Sequence, residues 1–339
     1  MRQFVLKLVL FLAPLLGVWM FLEWKLAHYP NTLMQKRAFL ERQAPTLRVF
    51  VVGTSVEYGG VSPSQFDCPG INMANPFQTI FLNAEIVRRF APILPQLRLV
   101  LFGISYGAFE AQLGDSPASE AAYLYRHFLG TPLDSGINFW DPRTFSVVAA
   151  YGQDLALGQL FSGFGLPVTD NFDSSGWLSA EGVFDPGREA EIVPLVDRLQ
   201  APLKLEHIAE NVHAVENMFA LLQPRHVETV FITAPATIQI RRHLDTVRLE
   251  RTEALINDLA ARYHTTYMNY FTDPRFTTED FRDPMHFNRN GALKFSRILN
   301  EDIIRPRGIC AADRVASPDE PSTSGPGAPE ASPAVPTPS

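Results

Sequence analysis

The chain has 339 residues, 46% of them hydrophobic, and a net charge of −7. That supports a sizeable core in one or two domains, and an acidic chain without a basic stripe offers nucleic acid no electrostatic footprint. The two cysteines, Cys68 and Cys310, have no partner at zinc or redox-motif spacing; outside the cytoplasm they could form one disulfide, and otherwise they are two separate buried thiols.

The N-terminus opens as MRQFVLKLVLFLAPLLGVWMFLEW, with Arg2 and Lys7 ahead of an apolar run of 15 residues from Leu8 to Leu22. That run has the length of a signal-peptide core, but counted from Phe4 with Lys7 snorkelling it has 19 residues and can span a bilayer. No small-x-small cleavage site follows, and Trp19 and Trp24 suit a membrane interface. An uncleaved anchor over 1–30 is therefore favoured over a cleaved signal or a buried helix. Arg2 and Lys7 argue for an inside N-terminus, although Lys25, Lys36 and Arg37 on the far side weaken that argument. Residues 31–46 read as a polar, helix-prone stalk.

Five strands are predicted next, at 47–53, 70–73, 97–105, 227–235 and 264–270. Those at 47, 97 and 227 are near-continuous apolar runs, the pattern of parallel strands covered on both faces. Helical patterns lie between and after them, at 76–94, 203–223, 246–263 and 288–303. The alternation predicts an α/β fold over 47–310: a doubly wound, flavodoxin-like, five-stranded parallel sheet sandwiched by helices. The aromatic, Gly- and Pro-rich stretch 107–200 interrupts the alternation as an insertion, either a lid, a binding surface or a small subdomain. The segment 311–339, rich in Pro, Ser and Ala, reads as a disordered tail.

Two short motifs carry chemistry. In VFVVGTSVEYGGVSP, Ser55 follows the first strand by two residues, at the carboxyl edge where open sheets bind ligands. Gly53 would let the chain turn sharply, and a helix starting near Val56 would aim free amides at whatever Ser55 attacks. The bland alternative is that Thr54 or Ser55 caps that helix. In RDPMHFNRNGALKFS, Asp283 lies three residues before His286, between the last strand and the last helix. Such a loop lets the carboxylate fix one imidazole nitrogen and leave the other for a nucleophile; the bland alternative is an Asp-Pro turn with Asn288 capping the helix. The other histidines lack this setting, and Asp273 in FTDPRF reads as a turn residue. Both motifs fall on one sheet edge. The order Ser, Asp, His, with Glu57 two residues after the serine, excludes the GxSxG elbow of α/β-hydrolases. No metal-ligand spacing and no phosphate-cradling loop is present, so neither metal nor cofactor is expected.

The GTS block (Gly53, Thr54, Ser55) and the DPMH block (Asp283, His286) resemble the first and last blocks of the SGNH/GDSL hydrolase superfamily. NMANPFQ falls at the second block, with Ala74 where the family has glycine, and GISY at the third, with Ser105 where the family has asparagine. The resemblance implies Ser55, His286 and Asp283 as a catalytic triad. The Ser55 and Ala74 amides and Ser105 would be oxyanion donors, with Asn72 and Asn75 as substitutes. The layout, an anchor ahead of these blocks, is similar to membrane-anchored members associated with bacterial surface-polysaccharide acylation. That implies an extracytoplasmic domain held at the cytoplasmic membrane, with an envelope polysaccharide or other acyl ester as substrate. Transfer or removal of O-acyl groups, O-acetyl first among them, would be the reaction, and a membrane-bound acyl donor protein a partner. The rival expectation is a catalytically degenerate glycan-binding or assembly protein, with Phe139, Trp140, Trp177 and Tyr123 of the insertion as its sugar-binding face or as a plain core cluster.

Overall fold

A computed structural model describes residues 1–116, 118–151, 172–187, 192–200 and 203–311. Strands β1 (Val49–Val52), β2 (Gly70–Asn72), β3 (Leu99–Gly103), β4 (Glu228–Thr233) and β5 (Thr266–Asn269) form one sheet in the order β2-β1-β3-β4-β5. Every pairing is parallel. This is the flavodoxin-like, doubly wound sheet expected from the alternation of apolar runs and amphipathic segments.

Among the described residues the α-helices are α1 (Arg2–Ala27), α2 (Thr32–Gln43), α3 (Ser55–Gly60), α4 (Ile80–Phe90), α5 (Ala121–Leu129), α6 (Val147–Tyr151), α7 (Ile192–Gln200), α8 (Ile208–Leu222), α9 (Ile238–Arg241), α10 (Thr246–Arg262) and α11 (Arg289–Leu299). Alternate residues of the central strands feed two cores, because successive side chains point to opposite faces. Phe50, Val52, Val100, Phe102 and Phe231 pack with α4, α8 and α10. Val49, Val51, Leu101, Val230 and Ile232 pack with α3, α9 and α11.

One region differs from its expected organisation. The segment 31–46 is not a stalk. Asn31 caps α2 by accepting from the Met34 amide at 3.0 Å, and Leu40, Ala44 and Leu47 join the first core. Lys36 is fully buried: its ammonium donates to the Ala74 carbonyl at 2.5 Å and lies 4.6 Å from the centre of the Tyr58 ring. The helix looks polar in sequence because its buried cation is recognised by a carbonyl and an aromatic face. The insertion is described in part. Its stretch 172–187 runs along the free side of β2, where the Asn72 amide donates to the Ser175 carbonyl at 2.8 Å, and returns over the site, where the Phe184 amide donates to the Phe281 carbonyl at 2.7 Å. The part at 152–171 and the expected tail beyond Ala311 lie outside the described residues.

Helix α1 has mean hydropathy 2.3 over its best window and is almost wholly exposed. At 1.5 Å per residue its 26 residues are about 39 Å long, enough to cross a hydrocarbon core of about 30 Å. Its last turn joins the domain. Leu22 and Leu26 pack on Phe128, Val147 and Val148, and the Glu23 carboxylate accepts from the Val147 amide at 2.9 Å and from the Ser146 hydroxyl. Cys68 and Cys310 form a disulfide across a sequence separation of 242, tying the segment before β2 to the end of the described chain.

Candidate active site

The turn after β1 divides two tasks between adjacent residues. Thr54 is the cap of α3: its hydroxyl accepts from the Val56 amide at 3.3 Å, and its own amide donates to Glu57 Oε2 at 2.8 Å, closing a capping box. Ser55 is thereby left at the first helical position, where the helix offers its amide no acceptor and its side chain is free to face outward. The cap, which the sequence left between Thr54 and Ser55, is Thr54.

Gly53 is glycine for a reason other than a sharp turn, since its backbone is not left-handed. A Cβ on Gly53 would lie 2.3 Å from Glu57 Oε2, and a Cβ on Gly103, the neighbouring position at the end of β3, would lie 2.3 Å from Glu57 Cδ. The Glu57 carboxyl occupies a slot between two strand ends that any side chain would fill. Desolvation in that slot pushes the carboxyl up from 4.5 to about 7, against the Thr54 hydrogen bonds and the attraction of His286. Glu57 was not among the expected site residues, although the spacing Thr54-Ser-Val-Glu57 is itself a capping-box signature.

The second motif forms a tight loop between the bridged residues Phe281 and Phe287, in which the Arg282 amide donates to the His286 carbonyl at 2.9 Å. Asp283 Oδ1 accepts from the amides of Met285 and His286, each at 2.9 Å, so this carboxylate orders its own loop. The Thr237 hydroxyl ties the loop to the segment after β4 by donating to the Pro284 carbonyl at 2.9 Å. Asn288 caps α11, accepting from the Gly291 amide at 3.0 Å. Helix α11 packs on α3, bringing the two motifs together.

The result is a continuous chain of hydrogen bonds. His286 Nδ1 lies 2.9 Å from both carboxylate oxygens of Asp283, and His286 Nε2 lies 2.9 Å from Ser55 Oγ. With Asp283 ionised, Nδ1–H is the donor, which leaves Nε2 to accept from the Ser55 hydroxyl. Burial opposes a charge on Asp283, but the His286 ring and the two loop amides outweigh it and hold the carboxyl below its ordinary range.

The four expected oxyanion residues separate. Ser105 lines the cavity that opens over Ser55. Asn72, Ala74 and Asn75 are buried and do not line it. Asn72 Nδ2 donates to the carbonyls of Glu57 and Val61, both at 2.7 Å, and its Oδ1 accepts from the Ala74 amide at 2.9 Å. The Ala74 amide is thus already engaged, and Asn72 is a brace under α3 rather than a donor to a ligand. Asn75 sits in a turn whose carbonyl accepts from the Gln78 amide at 3.2 Å. The loop after β2 instead turns Pro76, Phe77, Gln78 and Thr79 to the cavity. The aromatic residues of the insertion separate likewise. Tyr123 and Trp177 are buried, with Trp177 Nε1 donating to the Gly59 carbonyl at 2.9 Å, whereas Phe139 and Trp140 are exposed; none of the four lines the cavity.

No family model matches the chain, and no curated protein is significantly similar to it. Among solved structures, a protein of Bacteroides fragilis NCTC 9343 described as a "putative acylhydrolase" is similar at 12% identity with a TM-score of 0.39, over 82% of this chain and 99% of that one. The resemblance to SGNH/GDSL hydrolases therefore rests on the residues of the sheet-edge loops themselves.

Proposed function

We propose that the protein carries out serine-dependent ester chemistry. The observation that carries this reading is the hydrogen-bonded series Asp283, His286, Ser55 at the mouth of a cavity on the carboxyl edge of the sheet. His286 Nε2 takes the proton of Ser55 as Oγ attacks the ester carbonyl carbon. A carbon–Oγ bond forms and the carbonyl oxygen becomes an oxyanion, for which the Ser55 amide and the Ser105 hydroxyl are the donors on hand. Collapse breaks the bond to the alcohol, which leaves with the proton from His286. Water or a sugar hydroxyl then attacks the acyl-enzyme, gives its proton to His286 and releases the acyl group as an acid or a new ester, and the proton returns to Ser55.

The finer reading is O-acyl transfer to, or removal from, a cell-envelope polysaccharide by a domain anchored on the extracytoplasmic side of the cytoplasmic membrane. It rests on the resemblance, with two supports. The last turn of α1 is packed into the domain, as suits a retained anchor, and the Cys68–Cys310 disulfide suits an oxidising compartment. A membrane-bound acyl donor protein is the partner this reading requires for transfer. The chemistry is tested by labelling with an alkyl fluorophosphonate, which should modify Ser55 and fail with Ser55→Ala. The substrate is tested by deleting the gene and quantifying esters on purified envelope polysaccharide: fewer esters mean transfer, more mean removal, and no change overturns the polysaccharide assignment.

A further inference from the structure

The space in front of Ser55 is far larger and less polar than an acetyl ester needs. The cavity measures about 810 Å³, within the roughly 300–1,000 Å³ of sites that enclose a drug-sized ligand. Its walls are mostly hydrocarbon, with Gln78, Gln112, Ser116 and Asp185 among the polar residues besides Ser55, Ser105 and His286. Helix α7, the last helix of the insertion, contributes Ile192, Leu195 and Leu199, which share one face at helical spacing. Ile240 and Leu244, from α9 and the turn after it, stand among the residues of the core that complete the wall, and α7 packs on α9. Phe77 lines the cavity from the loop after β2 while 60% exposed, with φ of 61°. Left-handed backbone is unfavourable for a bulky side chain and concentrates at functional sites.

We infer that the ester acted on at Ser55 carries an extended apolar acyl group, a medium- or long-chain fatty acyl, that lies along Leu195 and Leu199 with Phe77 at its exit. The inference rests on the serine-ester reading and changes what that reading takes as its acyl group. A single methyl would leave most of the hydrocarbon wall facing water. A fatty chain covers it, and burying each methylene strengthens binding about fourfold. A sugar would find few polar partners there, so the polar alcohol half of the ester belongs at the mouth, beside the exposed Arg282.

The experiment uses the full chain in lipid nanodiscs with p-nitrophenyl acetate, butyrate and octanoate, each corrected for the rate with Ser55→Ala. The kcat/KM ratio of octanoate to acetate should be ~100 or more. Leu195→Gln and Leu199→Gln should each lower that ratio at least about tenfold, by placing an unpaired amide against the chain. Because a buried glutamine could unfold the protein, Phe77→Ser at the exposed rim is tested too and should lower the ratio by a smaller factor. Labelling of Ser55 by ethyl and decyl fluorophosphonates gives a second readout without turnover, in which the decyl reagent should react faster. Turnover of acetate with no gain on lengthening the chain overturns the fatty-acyl assignment and leaves the serine-ester reading standing. A chain-length preference that none of the three variants moves also overturns it, because the chain then lies elsewhere. Absence of both Ser55-dependent turnover and Ser55 labelling overturns the reading beneath it as well.

Discussion

In the loops after β1 and β5, side-chain polar atoms face the cavity and one another: Ser55 meets His286, and His286 meets Asp283. At the end of β2 and in the loop after it they are engaged within the protein, with Gln78 held by Asn83 and Tyr125. Asn72 satisfies two carbonyls beneath α3 and the Ala74 amide, and what reaches the cavity is Pro76, Phe77, Gln78 and Thr79. Both loops leave the same sheet edge, yet one kind exposes chemistry and the other braces it. Position at a strand end makes a residue available to a site; what its polar atoms already bond decides whether it can act there. Buried polar groups need partners, so an asparagine whose amide already supports the helix of Ser55 cannot also present it to a ligand.

The widest test of this contrast is kinetic. Ser55→Ala and His286→Ala should each lower turnover of a p-nitrophenyl ester by about 10⁴-fold or more, and the double variant should be hardly worse, because the residues act as a unit. Asp283→Asn should lose less than Ser55→Ala. An undiminished rate in Ser55→Ala would erase the distinction between the two kinds of loop.

Asn72→Ala should act on the fold instead. It strands two carbonyls and one amide at roughly 1 kcal/mol per lost bond, so unfolding in urea should shift by about 3 kcal/mol, whereas Ser55→Ala should leave the midpoint nearly unchanged. An Asn72→Ala protein of full stability would show that the brace is not one.

Glu57 stands between the classes, lining the cavity but held by the Thr54 cap. Its folded-state value of about 7 exceeds the 4.5 of an unperturbed glutamate, so the folded protein keeps a proton that the unfolded chain releases. Its contribution to stability is complete below pH 4.5 and declines as pH rises to about 7. Glu57→Gln should flatten that decline, by about 1–3 kcal/mol at pH 8 relative to pH 4.5. Parallel stability–pH curves for the two proteins would mean that the slot between Gly53 and Gly103 does not hold a neutral carboxyl.

Much of the architecture was legible because its causes are local. Short continuous apolar runs rich in β-branched residues read as buried strands, the amphipathic segments between them cover both faces, and the order of the GTS and DPMH blocks places both on one edge. The hydrogen bonds joining Ser55, His286 and Asp283 follow from those placements. Residues whose meaning depends on a distant neighbour were not legible. Gly53 and Gly103 are 50 positions apart in sequence and share one reason to be glycine, the Glu57 carboxyl between them. Lys36 gives a polar look to a helix that is core, because its partners are a carbonyl and a ring from other elements. The apolar wall of α7 has an ordinary amphipathic sequence, and only its position against α9 makes a face that packs on the core a cavity lining as well. Sequence by itself determined the sheet, its edge and the residues available there. Tertiary structure decided which of them were already engaged and what surface they faced, because hydrogen-bond satisfaction and packing are settled between segments, not within them.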